Sequence, residues 1–280
     1  MTERAGSVLI CGAGPVGLSL ALELARRGIA ARVIDKASGP APLHESRALA
    51  VNARTLALLE PSGATGQILQ EALRVEYAEF VFEGRTRVRL EPNAHPDAGH
   101  GLHTLAQGRV ERILIAALQR HGVEPEWGTA ITAVETKDGR ARATLATEAG
   151  SEGAAADLLV GADGAHSIVR KRGGFAFEGE SLPQTFYLAD LRYSRALEPV
   201  RVRARFFSPG VVAAIPVSRT VMRVVSTLAD WRRRLDPGER DGETLWQSEF
   251  RVSFRNVARM QRGPIFLAGD AAHIHSPVGG

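Results

Sequence analysis

Apolar and polar residues switch between two periods along this chain, and the switches outline its elements. Residues 8–11 form a short unbroken apolar run of the length of a buried strand. A helical apolar run follows, and a second strand ends in Asp35, so residues 8–35 predict one βαβ unit. Residues 36–42 are rich in Pro, Ser and Gly and predict a loop. Apolar residues then return at helical spacing through Leu56 and Leu59, placing Arg47 on an extended approach and Arg54 near the helix start. Residues 79–90 alternate about a central Glu-Gly pair and predict a β-hairpin.

A polar loop with His95, His100 and His103 comes next, then an amphipathic helix closed by Gly122, with Gln107 just ahead of it. Residues 131–146 predict a second hairpin around Asp138 and Gly139. A buried strand then runs into Gly161, Asp163 and Gly164 before a short helix. Between 175 and 260 the period becomes that of strands, which predicts an antiparallel sheet. At the end, residues 265–268 form an apolar strand that delivers Gly269 and Asp270, with helical residues after them. The fold class expected is α/β, a Rossmann-like part interrupted by a mostly antiparallel sheet.

Composition narrows this picture. At 280 residues and 44% hydrophobic, the chain can bury one large or two ordinary domains. Thirty-five basic residues are met by 31 acidic ones, for a net charge of +4, which gives no reason to expect a nucleic-acid partner. Cys11 is the single cysteine, so no intramolecular disulfide can form; it reads as a small buried side chain in a reducing compartment. Gly residues, Pro15 and Glu23 interrupt the first apolar run, so neither a signal nor a membrane segment is expected, and the location expected is cytoplasmic.

The candidate chemistry is concentrated at strand ends. Gly12, Gly14 and Gly17 stand at the G-x-G-x-x-G spacing. The first allows a tight turn, the second lets a pyrophosphate approach the backbone, and the third lets helix and strand pack closely. The helix would point unpaired N–H groups at the phosphates, and Asp35 is placed to accept from a ribose diol. Asp163 and Asp270 each follow a strand, where open α/β sheets put ligand contacts. The loop histidines lack a partner at ligand spacing, so no metal is expected, and Asp270 is expected to bond a sugar or ribityl hydroxyl rather than join His273 and His275 in a metal set. Arg201, Arg203 and Arg205 share one strand face, which reads either as a solvated face or as the path of an anionic substrate.

Three motifs occur in fixed order: the Gly-rich βαβ unit, G-A-D-G at 161–164, and G-D-A-A-H at 269–273. Together they resemble the FAD-dependent aromatic hydroxylases, single-component flavoprotein monooxygenases related to p-hydroxybenzoate hydroxylase. The H-I-H-S-P-V-G-G ending is most similar to the phenol and aromatic-polyketide hydroxylase branch. The resemblance implies an FAD-binding domain built from 1–75, 95–172 and 263–280, and a substrate domain built from 76–94 and 173–262. It implies cofactor contacts by Gly12, Gly14, Gly17, Asp35, Arg47 near the pyrophosphate, Gln107 beside the flavin, Asp163 and Gly164, and Gly269 and Asp270 at the ribityl chain. Pro277, with Gly279 and Gly280, matches the loop at the isoalloxazine edge and is the residue assigned to the reacting ring. In the family that Gly-Gly leads into Q-G-M-N and a long helix, so a truncated chain is expected.

The activity implied is hydroxylation of a phenolic or polyketide-like aromatic, with NADPH or NADH reducing FAD and O2 adding to form a C4a-hydroperoxyflavin. Related outcomes are epoxidation, Baeyer–Villiger insertion, or a non-catalytic FAD-binding fragment. A plain NAD-dependent dehydrogenase would use the first motif and leave the other two idle. No nucleophile elbow or triad stands in the sequence.

Overall fold

The computed structural model describes residues 6–43, 50–83, 86–92 and 99–275. Arg47, His95, Pro277, Gly279 and Gly280 lie outside them. In chain order the N-terminal part runs β1 (Gly6–Cys11), α1 (Pro15–Arg26), β2 (Ala31–Ile34), β3 (Ala50–Val51), α2 (Ala53–Leu59), α3 (Ala64–Glu71) and β4 (Leu73–Arg74). Then come β5 (Tyr77–Phe82), β6 (Thr86–Leu90), β7 (His103–Thr104), α4 (Gln107–Gln119), β8 (Ala130–Lys137), β9 (Arg140–Thr147), β10 (Gly150–Gly161) and α5 (Ile168–Arg172). The remainder is β11 (Glu178–Arg192), β12 (Arg201–Phe207), β13 (Gly210–Pro216), β14 (Val221–Ser226), α6 (Trp231–Arg234), α7 (Pro237–Arg240), β15 (Glu243–Asn256), β16 (Gln261–Arg262), β17 (Ile265–Leu267) and β18 (His273–Ile274).

The first sheet orders its strands β16-β17-β10-β1-β2 and carries β8 and β9 on β10. The last part of β10 runs parallel to β1 and β17, while its first part is antiparallel to β9. Period two explains the layering. Val8 and Ile10 face α1 and α4 with Leu18, Leu22, Leu114 and Leu118, whereas Leu9 and Cys11 join Leu145, Leu159, Val169 and Leu267 on the other side. The hairpin expected at 131–146 is present, with Asp138 and Gly139 both at positive φ.

The second sheet orders β18-β15-β11-β14-β13-β12-β5-β6. It is antiparallel except where β12 pairs parallel with β5, so the 79–90 hairpin and the 175–260 strands form one sheet. The strand β15, passed over in the periodicity, pairs with β11 along most of its length. One face of this sheet buries Leu191, Val212, Met222 and Val224 under Trp231 and Leu235 from the α6 segment.

Four local expectations change. The residues after Gly269 make one turn of 3₁₀-helix and then β18, which pairs with β15 of the second sheet. At the boundary expected after residue 262, Gln261 and Arg262 already pair with β17 of the first sheet. Gln107 opens α4 rather than preceding it. His103 is not a loop histidine but a buried residue of β7. Among the described residues no helix is long and apolar enough to cross a membrane, and no three His, Cys, Asp or Glu side chains group to hold a metal ion.

Candidate cofactor site

Adjacent strands bring the three motifs together. Cys11 pairs with Gly161 and with Ile34, and Gly161 pairs with Leu267, so four strands end in one row. Beyond that row follow Gly12 and Gly14, Asp35, Asp163 and Gly164, and Gly269 and Asp270. The chain leaves β1 toward β2 on one side while β10 lies on the other, which makes the gap between β1 and β10 a topological switch point, where open α/β sheets bind ligands.

The glycines meet the steric demands of a dinucleotide turn in separate ways. Gly12 has φ +111°, and a Cβ there would stand 2.2 Å from the Ala162 carbonyl oxygen. A Cβ on Gly17 would stand 1.9 Å from the Gly12 carbonyl oxygen, so the helix could not close on the turn. Gly14 has nothing within 4 Å of that position, which leaves its backbone open to an approaching phosphate. Helix α1 starts there with Pro15 and no side-chain cap, so its first amides remain available to an anion. This is a cradle whose shape and polarity fit the pyrophosphate of a dinucleotide such as FAD.

Asp35 ties the turn together. Its Oδ2 accepts from the Ala13 amide and its Oδ1 from the Ala37 amide, both at 2.8 Å. A carboxylate has about four lone-pair positions, so acceptor capacity is left for ribose hydroxyls. Asp163 spends its carboxylate within the chain: Oδ1 accepts from the Ser167 hydroxyl at 2.5 Å, and Oδ2 from the Ile168 and Val169 amides at 2.6 and 3.2 Å. It therefore caps α5. Gly164 follows at φ +76°. Gly269, at φ +59°, packs against Val16 of α1, where a Cβ would come within 2.8 Å of Val16 Cγ2. Asp270 is exposed and its carboxylate has no partner among the described residues.

Two residues that the sequence pattern did not single out hold this assembly. Arg170 is 4% exposed and donates through Nη1 to the Ala271 carbonyl at 2.9 Å and through Nη2 to the Ala165 carbonyl at 2.7 Å. It joins the loop after β10 to the loop after β17. Glu111, buried on α4, accepts from the Gln107 amide group and from the Ala41 amide, each at 2.8 Å, and so staples the start of α4 to the loop after β2. Each departs from its element's pattern, a charge on a buried face, but one sequence does not say which face is buried. Cys11 sits under the row, and burial, then the Asp163 and Asp35 carboxylates, push its thiol well above the ordinary value. It stays protonated and is no nucleophile.

The three arginines of β12 are neither a solvated face nor a path for an anion. Arg205 is 6% exposed and donates to Asp236 Oδ2 and Glu239 Oε2 at 2.6 Å each, and Arg203 donates to Glu79 at 2.5 Å and also pairs with Asp236. Arg201 stands 4.0 Å from Glu239. The α6–α7 segment carries the acids that cover this face. The sheet's opposite face, with Asp190 and Trp246, borders a groove of about 710 Å³ whose other wall is Leu43, Leu73, Leu105 and Ala106.

Residues 6–240 and 219–280 match the FAD binding domain family. The chain is 37% identical over 292 residues to 6-methylpretetramide 4-monooxygenase of Streptomyces rimosus, covering 98% of this chain and 52% of that protein. It is 29% identical over 307 residues to pentachlorophenol 4-monooxygenase of Sphingobium chlorophenolicum, covering 98% and 54%. Among solved structures, p-nitrophenol 4-monooxygenase of Pseudomonas putida superposes with a TM-score of 0.88 at 25% identity, over 99% of this chain and 75% of that one. The chain thus spans about half the length of these two relatives. With the Gly-rich turn, the D-G turn and the G-D turn in one row, the chain belongs to the FAD binding domain family of the aromatic flavoprotein monooxygenases.

Proposed function

We propose that this chain provides the cofactor cradle and the substrate-facing sheet of an FAD-dependent monooxygenase. It hydroxylates a small phenolic or polyketide-like aromatic in the cytoplasm, with NADH or NADPH and O2 as co-substrates. The observation that carries the reading is the row of four strand ends, which gathers three motifs around one switch point. In this reading 1–75, 95–172 and 263–280, extended back to Gln261 by its pairing with β17, form the FAD-binding domain, and 76–94 with the remainder of 173–262 form the substrate domain.

FAD, when bound, supplies the electron transfer and oxygen activation. The chain positions and shields. Gly12 and Gly17 shape the turn, Gly14 leaves room for the pyrophosphate, and the amides opening α1 meet its charge. Asp35 accepts from the ribose hydroxyls, and the carboxylate of Asp270, without a partner among the described residues, accepts from the ribityl chain. Gln107 stands beside the flavin on a helix start held by Glu111. Asp163 and Gly164 set the D-G turn by capping α5. By resemblance, Arg47 serves the pyrophosphate, and Pro277, Gly279 and Gly280 serve the isoalloxazine edge. The groove against the second sheet offers an aromatic ring apolar contacts at Leu43, Leu105, Val221 and Leu245.

The test is to purify the protein that carries this chain, read its flavin spectrum, and follow NADH and NADPH oxidation with phenols and polycyclic phenols. Bound flavin, oxidation stimulated by an aromatic, and a product heavier by one oxygen are expected. Product structure separates a hydroxylated ring from an epoxide or an ester. Absence of flavin, or oxidation that no aromatic stimulates, would overturn the proposal.

A further inference from the structure

The groove between the second sheet and the α3–β4 and α4-start segments has apolar walls at Leu43, Leu105, Val221 and Leu245 and a polar rim at Gln70, Glu71, Arg109, Ser218 and Arg219, and a buried carboxylate borders it. Asp190 on β11 is 4% exposed, and Arg223 on β14, directly opposite in register, is 1% exposed. Arg223 Nε donates to Asp190 Oδ1 and Nη2 to Oδ2, both at 2.8 Å, and the Trp246 indole N–H donates to Oδ2 at 3.0 Å. The guanidinium carbon lies 5.4 Å from the Trp246 ring centroid. Three of the roughly four lone-pair positions of the carboxylate are thus filled, and one on Oδ1 is left.

Stability alone does not account for this cluster. Desolvating an ion pair costs several kcal/mol per ion, and an apolar pair of the same volume is often neutral or better. Leu188 and Leu191 on the same strand show that apolar residues are accommodated on both sheet faces. What the cluster does supply is a carboxylate whose two oxygens are fixed in place, beside an indole, on the wall of a largely apolar groove.

The geometry points to Asp190 as the acceptor for a ring hydroxyl on a planar aromatic ligand that lies along Trp246 in this groove. The inference rests on the monooxygenase reading in taking the groove as the substrate side. Apolar walls accept the ring, and the remaining Oδ1 position accepts the hydroxyl proton in a hydrogen bond. An analogue without that donor leaves a buried acceptor unpaired, which is how a site rejects it. Hydrogen bonding to a carboxylate also moves electron density toward the ring oxygen, which favours attack by the ring on an electrophilic oxygen.

The test compares 2-naphthol with 2-methoxynaphthalene, the same ring with its donor capped, by calorimetric titration of the FAD-loaded protein. The wild type is expected to bind 2-naphthol at least about 10-fold more tightly. Asp190→Asn is expected to cut that ratio to about 3-fold or less with little change for the methoxy compound. The double variant Asp190→Leu with Arg223→Met removes the pair at similar volume and is expected to melt cooperatively while losing the ratio. A wild-type ratio near one, or a ratio kept by the folded double variant, overturns the inference. Flavin content and aromatic-stimulated NAD(P)H oxidation are read on the same samples. Their failure would count against the monooxygenase reading, and a lost ratio alone counts only against Asp190.

Discussion

Replacing Arg170 by Met tests whether the loops after β10 and β17 act as one cofactor-holding unit. The guanidinium donates to Ala271 and Ala165 and its carbon lies 3.7 Å from the Phe177 ring centroid. Hydrogen bonds from a charged donor contribute about 1.5–3 kcal/mol each, and a desolvated cation–π contact about 1–2 kcal/mol. The gross loss is therefore about 4–8 kcal/mol. Against it stands the cost of burying the charge, which also holds the pKa of this guanidinium below its ordinary value. Met keeps most of the stem and recovers that cost, leaving a net destabilisation of about 3 kcal/mol. Urea denaturation of the FAD-loaded protein should show a lower midpoint at unchanged slope. FAD affinity should fall at least about 10-fold, or 1.4 kcal/mol, because two loops lose their common tie. A loss under about 0.5 kcal/mol with unaltered FAD affinity would refute the reasoning.

Other outcomes follow from the same contacts. Asp35→Ala removes two turn-closing hydrogen bonds and the ribose acceptor, and FAD affinity measured by flavin fluorescence should drop about 10- to 100-fold. Arg205→Met leaves Asp236 and Glu239 short of a partner and should cost about 2 kcal/mol in urea denaturation, a figure reduced because Asp236 is half exposed, with FAD affinity unchanged. Burial, then the charges of Arg74 and His100, holds His103 below the ordinary histidine value of 6.5. Its neutral form is the one folded, so its contribution is complete above that value and is lost as pH falls below it; His103→Gln should flatten the fall in melting temperature between pH 7 and 5. Burial raises the Asp236 pKa, but its hydrogen bond to Arg205 and the charges of Arg205, Arg203 and Arg201 outweigh this and hold it below the ordinary 3.8. Its contribution is present above that value and lost as acid protonates the folded protein, so Asp236→Asn should remove part of the acid sensitivity seen in denaturation at low pH.

The βαβ unit was legible because most of its requirements are local: Gly17 is dictated by the Gly12 carbonyl inside the motif itself and Gly12 by its own φ of +111°, although the backbone that Gly12 must also clear, at Ala162, comes from the distant β10 loop. The D-G and G-D turns were legible for the same reason, as glycine after an apolar strand. Their meeting with the first motif depends on strand pairing across more than a hundred residues, and periodicity carries no such pairing. The β12 arginines show the limit most clearly. Alternation fixed that they share a face, but their covering acids, Asp236 and Glu239, lie on a short segment about thirty residues on. The sequence shows no period that folds it back. Asp190 left a trace, a carboxylate within the otherwise apolar run 186–191. Only the register opposite Arg223 makes it a buried pair on the wall of a groove. Likewise β5 pairs with β12 in parallel across a long connection, which turns two separately predicted strand regions into one sheet.

The central claim is that FAD lies across the ends of β1, β10 and β17. Titrating FAD into the apoprotein measures it directly. The wild type should take up one FAD per chain, Asp35→Ala and Asp270→Ala should each weaken binding by about 10-fold or more, and Arg203→Met on the far face of the second sheet should leave it unaltered. Failure to bind FAD, or equal losses in all three variants, would contradict the account.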